Sequence, residues 1–171
     1  RGPLAATNSL SDLCMSRRRQ AIKRSVIADA KYNSVLVGRL VNTVMFSGQK
    51  NVARRIVYGA IEALAEKTPG VDPLEIVQRA IDNAKPRIET KARRVGGATY
   101  QVPMEVTPDR QTSLAMRWIV GYADSRKGIP MKQALATELL EAYQGQGNAI
   151  RKRDDVHKMA QANKAFAHFR W

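Results

Sequence analysis

Residues able to do chemistry are unevenly supplied in this chain. Groups suited to catalysis or metal binding are scarce: two histidines, His157 and His168, and a single cysteine, Cys14. Zinc usually takes four Cys, His or carboxylate ligands, and no spacing here gathers such a set. Asp154 and Asp155 are adjacent, but neighbours on a helix point about 100° apart, which does not make an acid/base pair. Those two carboxylates are expected instead to favour a helix N-terminus electrostatically. No glycine-rich phosphate loop of the nucleotide-binding kinds occurs. The sequence therefore offers no catalytic residue, no metal ligands and no cofactor site.

Cations are abundant and clustered. The 171 residues carry 29 Lys and Arg against 15 Asp and Glu, a net charge of +14. Segment 17–24 holds Arg17, Arg18, Arg19, Lys23 and Arg24 with no acid. Segment 85–94 holds Lys85, Arg87, Lys91, Arg93 and Arg94 against Glu89 alone. Segment 151–170 holds Arg151, Lys152, Arg153, Lys158, Lys164 and Arg170 against Asp154 and Asp155. By contrast, segment 51–84 mixes four bases with five acids, as a merely solvated surface should. One-signed clusters suit a polyanion, because each cation laid against a phosphate releases a condensed counterion. Net charge alone does not separate RNA from DNA or an anionic membrane.

The elements that must position these cations are mostly helical. Leu36, Leu40 and Val44, with Val37, Val41 and Met45, form an apolar stripe from near Asn33 that ends at Ser47-Gly48. A second helix fits Asn51 to Lys67. A third starts sharply, with Asp72 as N-cap, Pro73 in the first position and Glu75 three after the cap. Its buried side is expected to be Leu74, Val77, Ala80, Ile81 and Ala84. From Arg87 the period changes to two: Ile88, Thr90 and Ala92 alternate with Glu89, Lys91 and Arg93. Downstream, Tyr100, Val102, Met104 and Val106 alternate with Gln101, Pro103 and Glu105. Gly96-Gly97 between them predicts a hairpin over 87–107, projecting from the helical body, with Pro103 marking an edge strand. Three helices complete the chain. One opens at Pro108 and carries Leu114, Met116, Trp118, Ile119 and Tyr122. The next carries Met131, Leu135, Leu139 and Ala142 and is stopped by Gly145 and Gly147, and the last runs from about Asp154 to Ala167. The expected fold is mainly α, a single domain of about six helices with one protruding β-hairpin.

Within that frame, Arg17-Arg18-Arg19 reads as a flexible arm that orders on phosphates, or else as a solubilising tail. Lys91, Arg93 and Arg94 are the sharper nucleic-acid signal, with Thr99, Tyr100 and Gln101 beside them. Tyr100 serves either to stack on a nucleotide or to pack against its own protein. Gly96 and Gly97 serve the turn, or permit close approach of an RNA backbone. Phe166 near the C-terminus is expected to pack on the body, whereas Trp171 at the end is the better candidate for an external contact. Cys14 alone excludes an internal disulfide and fits a reducing compartment. No apolar stretch approaches the roughly 20 residues of a membrane span. Residues 1–14 read as a tag remnant, a processed leader or a mis-assigned start before Met15, with 15–171 as the functional domain.

With these residues laid out, the sequence resembles the bacterial and organellar form of small-subunit ribosomal protein seven along nearly its whole length from Met15. The stretch KARRVGGATYQVP at 91–103 is similar to that family's hairpin. Leu114-Ala115-Met116-Arg117-Trp118-Ile119 resembles its following helix, and residues 152–160 and 162–168 resemble its end. The resemblance implies a non-enzymatic helical protein on the head (3′ major) domain of small-subunit ribosomal RNA. It implies early binding that nucleates head assembly, with the hairpin beside the exit-site transfer RNA and the messenger RNA path. Head and platform proteins are the implied neighbours, with no self-oligomer and no membrane. A cytoplasmic ribosome is the implied location, with an organellar ribosome open. By this resemblance and the charge clusters together, Lys50 and Arg117 join the cations above other than Lys85 and Arg87, with Gly96, Gly97, Tyr100, Gln101 and Trp171, as expected RNA contacts. Two departures stand out: Asp29-Ala30 where the family often has Asp-Pro, and Gly48-Gln49-Lys50 where it usually has two bases after the glycine. The competing classes are a DNA-binding regulator, a protein-only scaffold and an enzyme. The first and third helices lack the polar and basic face of a DNA recognition helix.

Overall fold

The structure, a computed structural model, describes residues 26–169. The 17–24 arm, residues 1–14, Arg170 and Trp171 therefore lie outside the described residues. Helices α1 (Val35–Val44), α2 (Lys50–Lys67) and α3 (Pro73–Ala84) precede strands β1 (Ile88–Val95) and β2 (Ala98–Glu105). Helices α4 (Pro108–Ser125), α5 (Met131–Tyr143) and α6 (Asn148–Ala162) follow, and a terminal 3-10 helix spans Lys164–Phe169. The mainly α expectation with one hairpin holds.

The core is aliphatic, as the scarcity of aromatics dictates. Helix α5 lies at its centre and packs against α2, α3, α4 and α6. That position explains its composition: Ala134, Leu135, Ala136, Leu139 and Ala142 are all buried, so the apolar surface wraps the helix. Fully buried Leu40, Leu64, Ile76, Ile81 and Ile119 interlock around it. In α3, Asp72 accepts the N–H of Leu74 at 3.0 Å, as the cap predicts. Glu75 pairs with Arg79 one turn on, rather than reaching back to close a capping box. The buried face of α3 is also rotated slightly: Ile76 is fully covered, whereas Leu74 is only partly so.

Helix α6 corrects the sequence reading. It begins at Asn148, six residues before the expected Asp154. Gly145 and Gly147 do break the chain, but the helix restarts at once because Ala149 and Ile150 have apolar partners to bury against. Its first turn is served from another helix: Glu138 of α5, fully buried, accepts the N–H of Ala149 at 3.2 Å. The same carboxylate takes the Arg126 guanidinium at 2.6 Å, and Arg126 also reaches Glu141 at 2.6 Å. Asp154 and Asp155 thus lie well inside α6 and do not serve its N-terminus.

Ahead of α1, residues 26–34 are fastened to the body. Asp29 accepts the Tyr58 hydroxyl at 2.8 Å and the backbone N–H groups of Lys31 and Tyr32. Burial alone would raise its carboxyl, but those donors outweigh it and hold the group below the usual aspartate range. The segment crosses α1 at Gly38, where a Cβ would stand 2.9 Å from the Ile27 carbonyl oxygen. Only glycine fits that crossing.

Candidate nucleic-acid interface

The hairpin is antiparallel, with Arg93 opposite Tyr100, Lys91 opposite Val102, and Arg94 opposite Thr99. Gly96 (φ 57°) and Gly97 (φ 90°) form a two-residue turn with both residues left-handed, the geometry that matches the natural strand twist. Nothing lies within 4 Å of where their Cβ atoms would be, so here the glycines answer to backbone conformation rather than crowding.

Residues opposite each other share a face of the ribbon. Tyr100, Val102 and Met104 therefore lie with Glu89, Lys91 and Arg93, while Arg94, Thr99 and Gln101 lie on the other side. The first face is held to the protein: Val102 is fully buried, and β2 packs on the terminal 3-10 helix. The Tyr100 ring sits between Phe166 and Phe169, with centroid distances of 5.2 Å to each. Of the two roles open to Tyr100, packing on its own chain is the one observed, and Phe166 packs on its own chain as expected, against Tyr100 of the hairpin. On the second face Arg94, Thr99 and Gln101 are exposed to solvent. The three hairpin cations are therefore not one cluster. Arg93 is half-buried on the clamped side, Lys91 shares that side but stays exposed, and Arg94 stands opposite.

The root of the hairpin is tied to α6. Arg87 donates its backbone N–H to His157 Nε2 at 3.0 Å, which requires the unprotonated nitrogen. Burial, then the nearby Arg153 and Arg87 cations, hold the imidazole below its ordinary value, and Asp154 only partly opposes them. Arg110 of α4 braces β1 from the other direction by pairing with Glu89 at 2.8 Å.

Ion pairing sorts the remaining cations. Arg39, Arg79, Lys85, Arg110, Arg126 and Arg153 face carboxylates of their own chain. Arg153 also donates to the Asn83 carbonyl, which joins α6 to the end of α3. Lys50, Lys91, Arg94, Arg117, Arg151, Lys158 and Lys164 are exposed, and Lys152 partly so; none enters an ion pair among the described residues. Sequence reasoning missed Arg39. It lines a mixed groove of about 580 Å³ with Val26, Asn42, Thr43, Asp109, Met116 and Arg117. A lone base inside an apolar helix stripe carried no signal of that neighbourhood. It also missed Arg87 and His157 as the hairpin's anchor, since their partnership spans 70 residues. Among the described residues, no group of three or more His, Cys, Asp or Glu could hold a metal, and no helix is long and apolar enough to cross a membrane.

The family model for ribosomal protein S7p/S5e matches residues 16–164. The small ribosomal subunit protein uS7 of Akkermansia muciniphila is 60% identical over 157 residues, which covers 92% of this chain and 100% of that relative. The same-named protein of Fervidobacterium nodosum is 57% identical over 155 residues, covering 91% and 99%. That of Thermotoga maritima is 54% identical over the same length. With a match of this extent on a helical frame bearing a basic hairpin, the chain belongs to the uS7 family of small-subunit ribosomal proteins.

Proposed function

We propose that this structural, non-enzymatic protein of the small subunit is a primary binder of the head (3′ major) domain of small-subunit ribosomal RNA and nucleates head assembly. Its hairpin lies near the exit-site transfer RNA and the messenger RNA path, and its flanks meet other head and platform proteins. The observation that carries the reading is the separation of cations into two populations. One is neutralised internally; the other, Lys91, Arg94, Arg117, Arg151, Lys158 and Lys164, faces solvent without an acidic partner among the described residues. Cations held apart from carboxylates repel one another, and phosphates relieve that repulsion. Most contacts then go to phosphate and sugar and read RNA shape, with few to base edges. The cations of the 17–24 arm and Arg170-Trp171 add further RNA contacts in this reading.

The test is an equilibrium titration of the protein against the head-domain RNA and a length-matched unrelated RNA across salt concentrations. The expected result is a preference for the head domain that survives at physiological salt. Equal affinity for both RNAs, vanishing together as salt rises, would overturn the proposal.

A further inference from the structure

A slot of about 460 Å³ opens between the root of the hairpin, α6 and the terminal 3-10 helix. That volume lies in the range of small-ligand sites, roughly 300–1,000 Å³. Its walls are mostly apolar: Ile88 and Pro103 from the face that also carries Arg94, Met104 from the other, and Ala160 from α6. Ile88 is 39% exposed, so apolar surface is left open to solvent here. The lining also includes two cations, Arg87 and Lys164, one from the hairpin root and one from the 3-10 helix, and one carboxylate, Glu105. His157 and Gln161 line it as well.

We propose that this slot receives a single unpaired nucleotide of the ribosomal RNA. This rests on the RNA-binding reading above and adds a specific base-binding site to it. The chemistry of the lining points to a nucleotide rather than a purely apolar group. A base displayed outside a helix needs flat apolar walls or an imidazole or guanidinium plane to stack on, and one or two polar groups for its edge. Ile88, Pro103 and Met104 supply the walls, His157 and Arg87 the planes, and Gln161 the polar edge. Arg87 and Lys164 then meet the phosphates on either side. An acidic peptide would satisfy the cations but leave the apolar walls empty.

The slot's rigidity follows from contacts already described. The Arg87 N–H bonded to His157 sets the distance between hairpin and α6, and Tyr100 between Phe166 and Phe169 sets the position of the 3-10 helix. The site is therefore formed before RNA arrives, which spares the ordering cost that weakens binding to flexible segments.

Ala167, exposed at the slot's edge, allows it to be filled without touching a charge or the core. The experiment is base-selective chemical footprinting of the head-domain RNA with the full chain, with Ala167→Phe, and with Ala167→Ser, each checked for an unchanged melting midpoint. The expected result is one unpaired base protected by wild type and Ala167→Ser but reactive with Ala167→Phe, the rest of the footprint being the same. Affinity should fall about tenfold, the worth of one stacked base. Identical footprints for the three proteins would overturn the slot while leaving RNA binding intact. Absence of any footprint, even with wild type, would overturn the RNA-binding reading and the slot with it.

Discussion

The helical body and the hairpin solve opposite problems with the same kinds of residue. In the body a buried carboxylate, Glu138, is matched on both oxygens, by Arg126 and by the start of α6, and aliphatic side chains fill the remaining space. In the hairpin one face is closed by an aromatic stack, and cations stand on both sides of the ribbon, Lys91 and Arg94 reaching solvent. On the RNA-binding proposal, the difference separates the buried packing that holds the fold from the exposed cations that would meet RNA. Changes in the buried core of the body should move unfolding without moving salt dependence, and changes at exposed cations such as Arg94 should do the reverse.

The largest expected effect comes from Glu138→Ala. It strands the Arg126 guanidinium, itself with an unsatisfied buried Nε, and opens the first turn of α6. Breaking a buried pair typically costs 3–5 kcal/mol, and Glu141 remains to face Arg126, so a loss of about 3 kcal/mol is expected. Urea denaturation measures it, and an undiminished midpoint would show that the pair is not what secures α6. Next comes Tyr100→Ala, which removes two ring contacts from a half-buried site and should cost about 1–2 kcal/mol. Amide exchange should quicken in β1, β2 and the terminal 3-10 helix together while α2 and α3 stay protected. Uniform protection would mean that the stack does not hold the hairpin.

Arg94→Ala is expected to leave stability within about 0.5 kcal/mol and to lower the salt slope of RNA binding by about 0.9, one phosphate contact. An unchanged slope would place this face outside the contact surface. The smallest effect concerns acid. His157 is held below its ordinary value of about 6.5, so its neutral form stabilises the fold fully above that pH. The contribution is lost as pH falls from there through the lowered value, because the unfolded chain then binds the proton more readily. Wild type should lose stability relative to His157→Gln as pH falls below about 6.5. Parallel pH profiles of the two melting midpoints would argue against the Arg87–His157 tie.

Much of this was legible in residue order. Asp72-Pro73 announces α3 because a cap and a fixed φ act within one turn, and Gly96-Gly97 announces the hairpin because few other residues accept both turn conformations. What escaped detection depends on distance along the chain. The start of α6 is stabilised by Glu138, eleven residues upstream of Ala149 and on another helix, so local signals pointed to the later acids instead. The phase of the hairpin escaped for a subtler reason. Each strand alternates cleanly on its own, but only the register joins Tyr100 and Val102 to Arg93 and Lys91, and it splits the expected basic cluster in two. Of the expected contacts, the arm and Arg170-Trp171 fall outside the described residues. Tyr100 and Arg153 are engaged within the protein, whereas Lys91, Arg94, Arg117, Arg151, Lys158 and Lys164 are exposed.

The aromatic stack has a mechanical consequence. Eight residues per strand make the hairpin about 26 Å long, and a free ribbon of that length would swing about its root like a lever. The stack grips at Tyr100, only two residues beyond Ala98 at the turn, so the overhang past the grip is about 7 Å. A push at the tip therefore meets two supports, one at Arg87 and one at Tyr100, and the ribbon behaves as a propped beam. Thermal swing at Arg94, one residue past the level of that grip, is correspondingly small. A cation presented so stiffly can discriminate between phosphates a few ångströms apart, which a freely swinging one cannot.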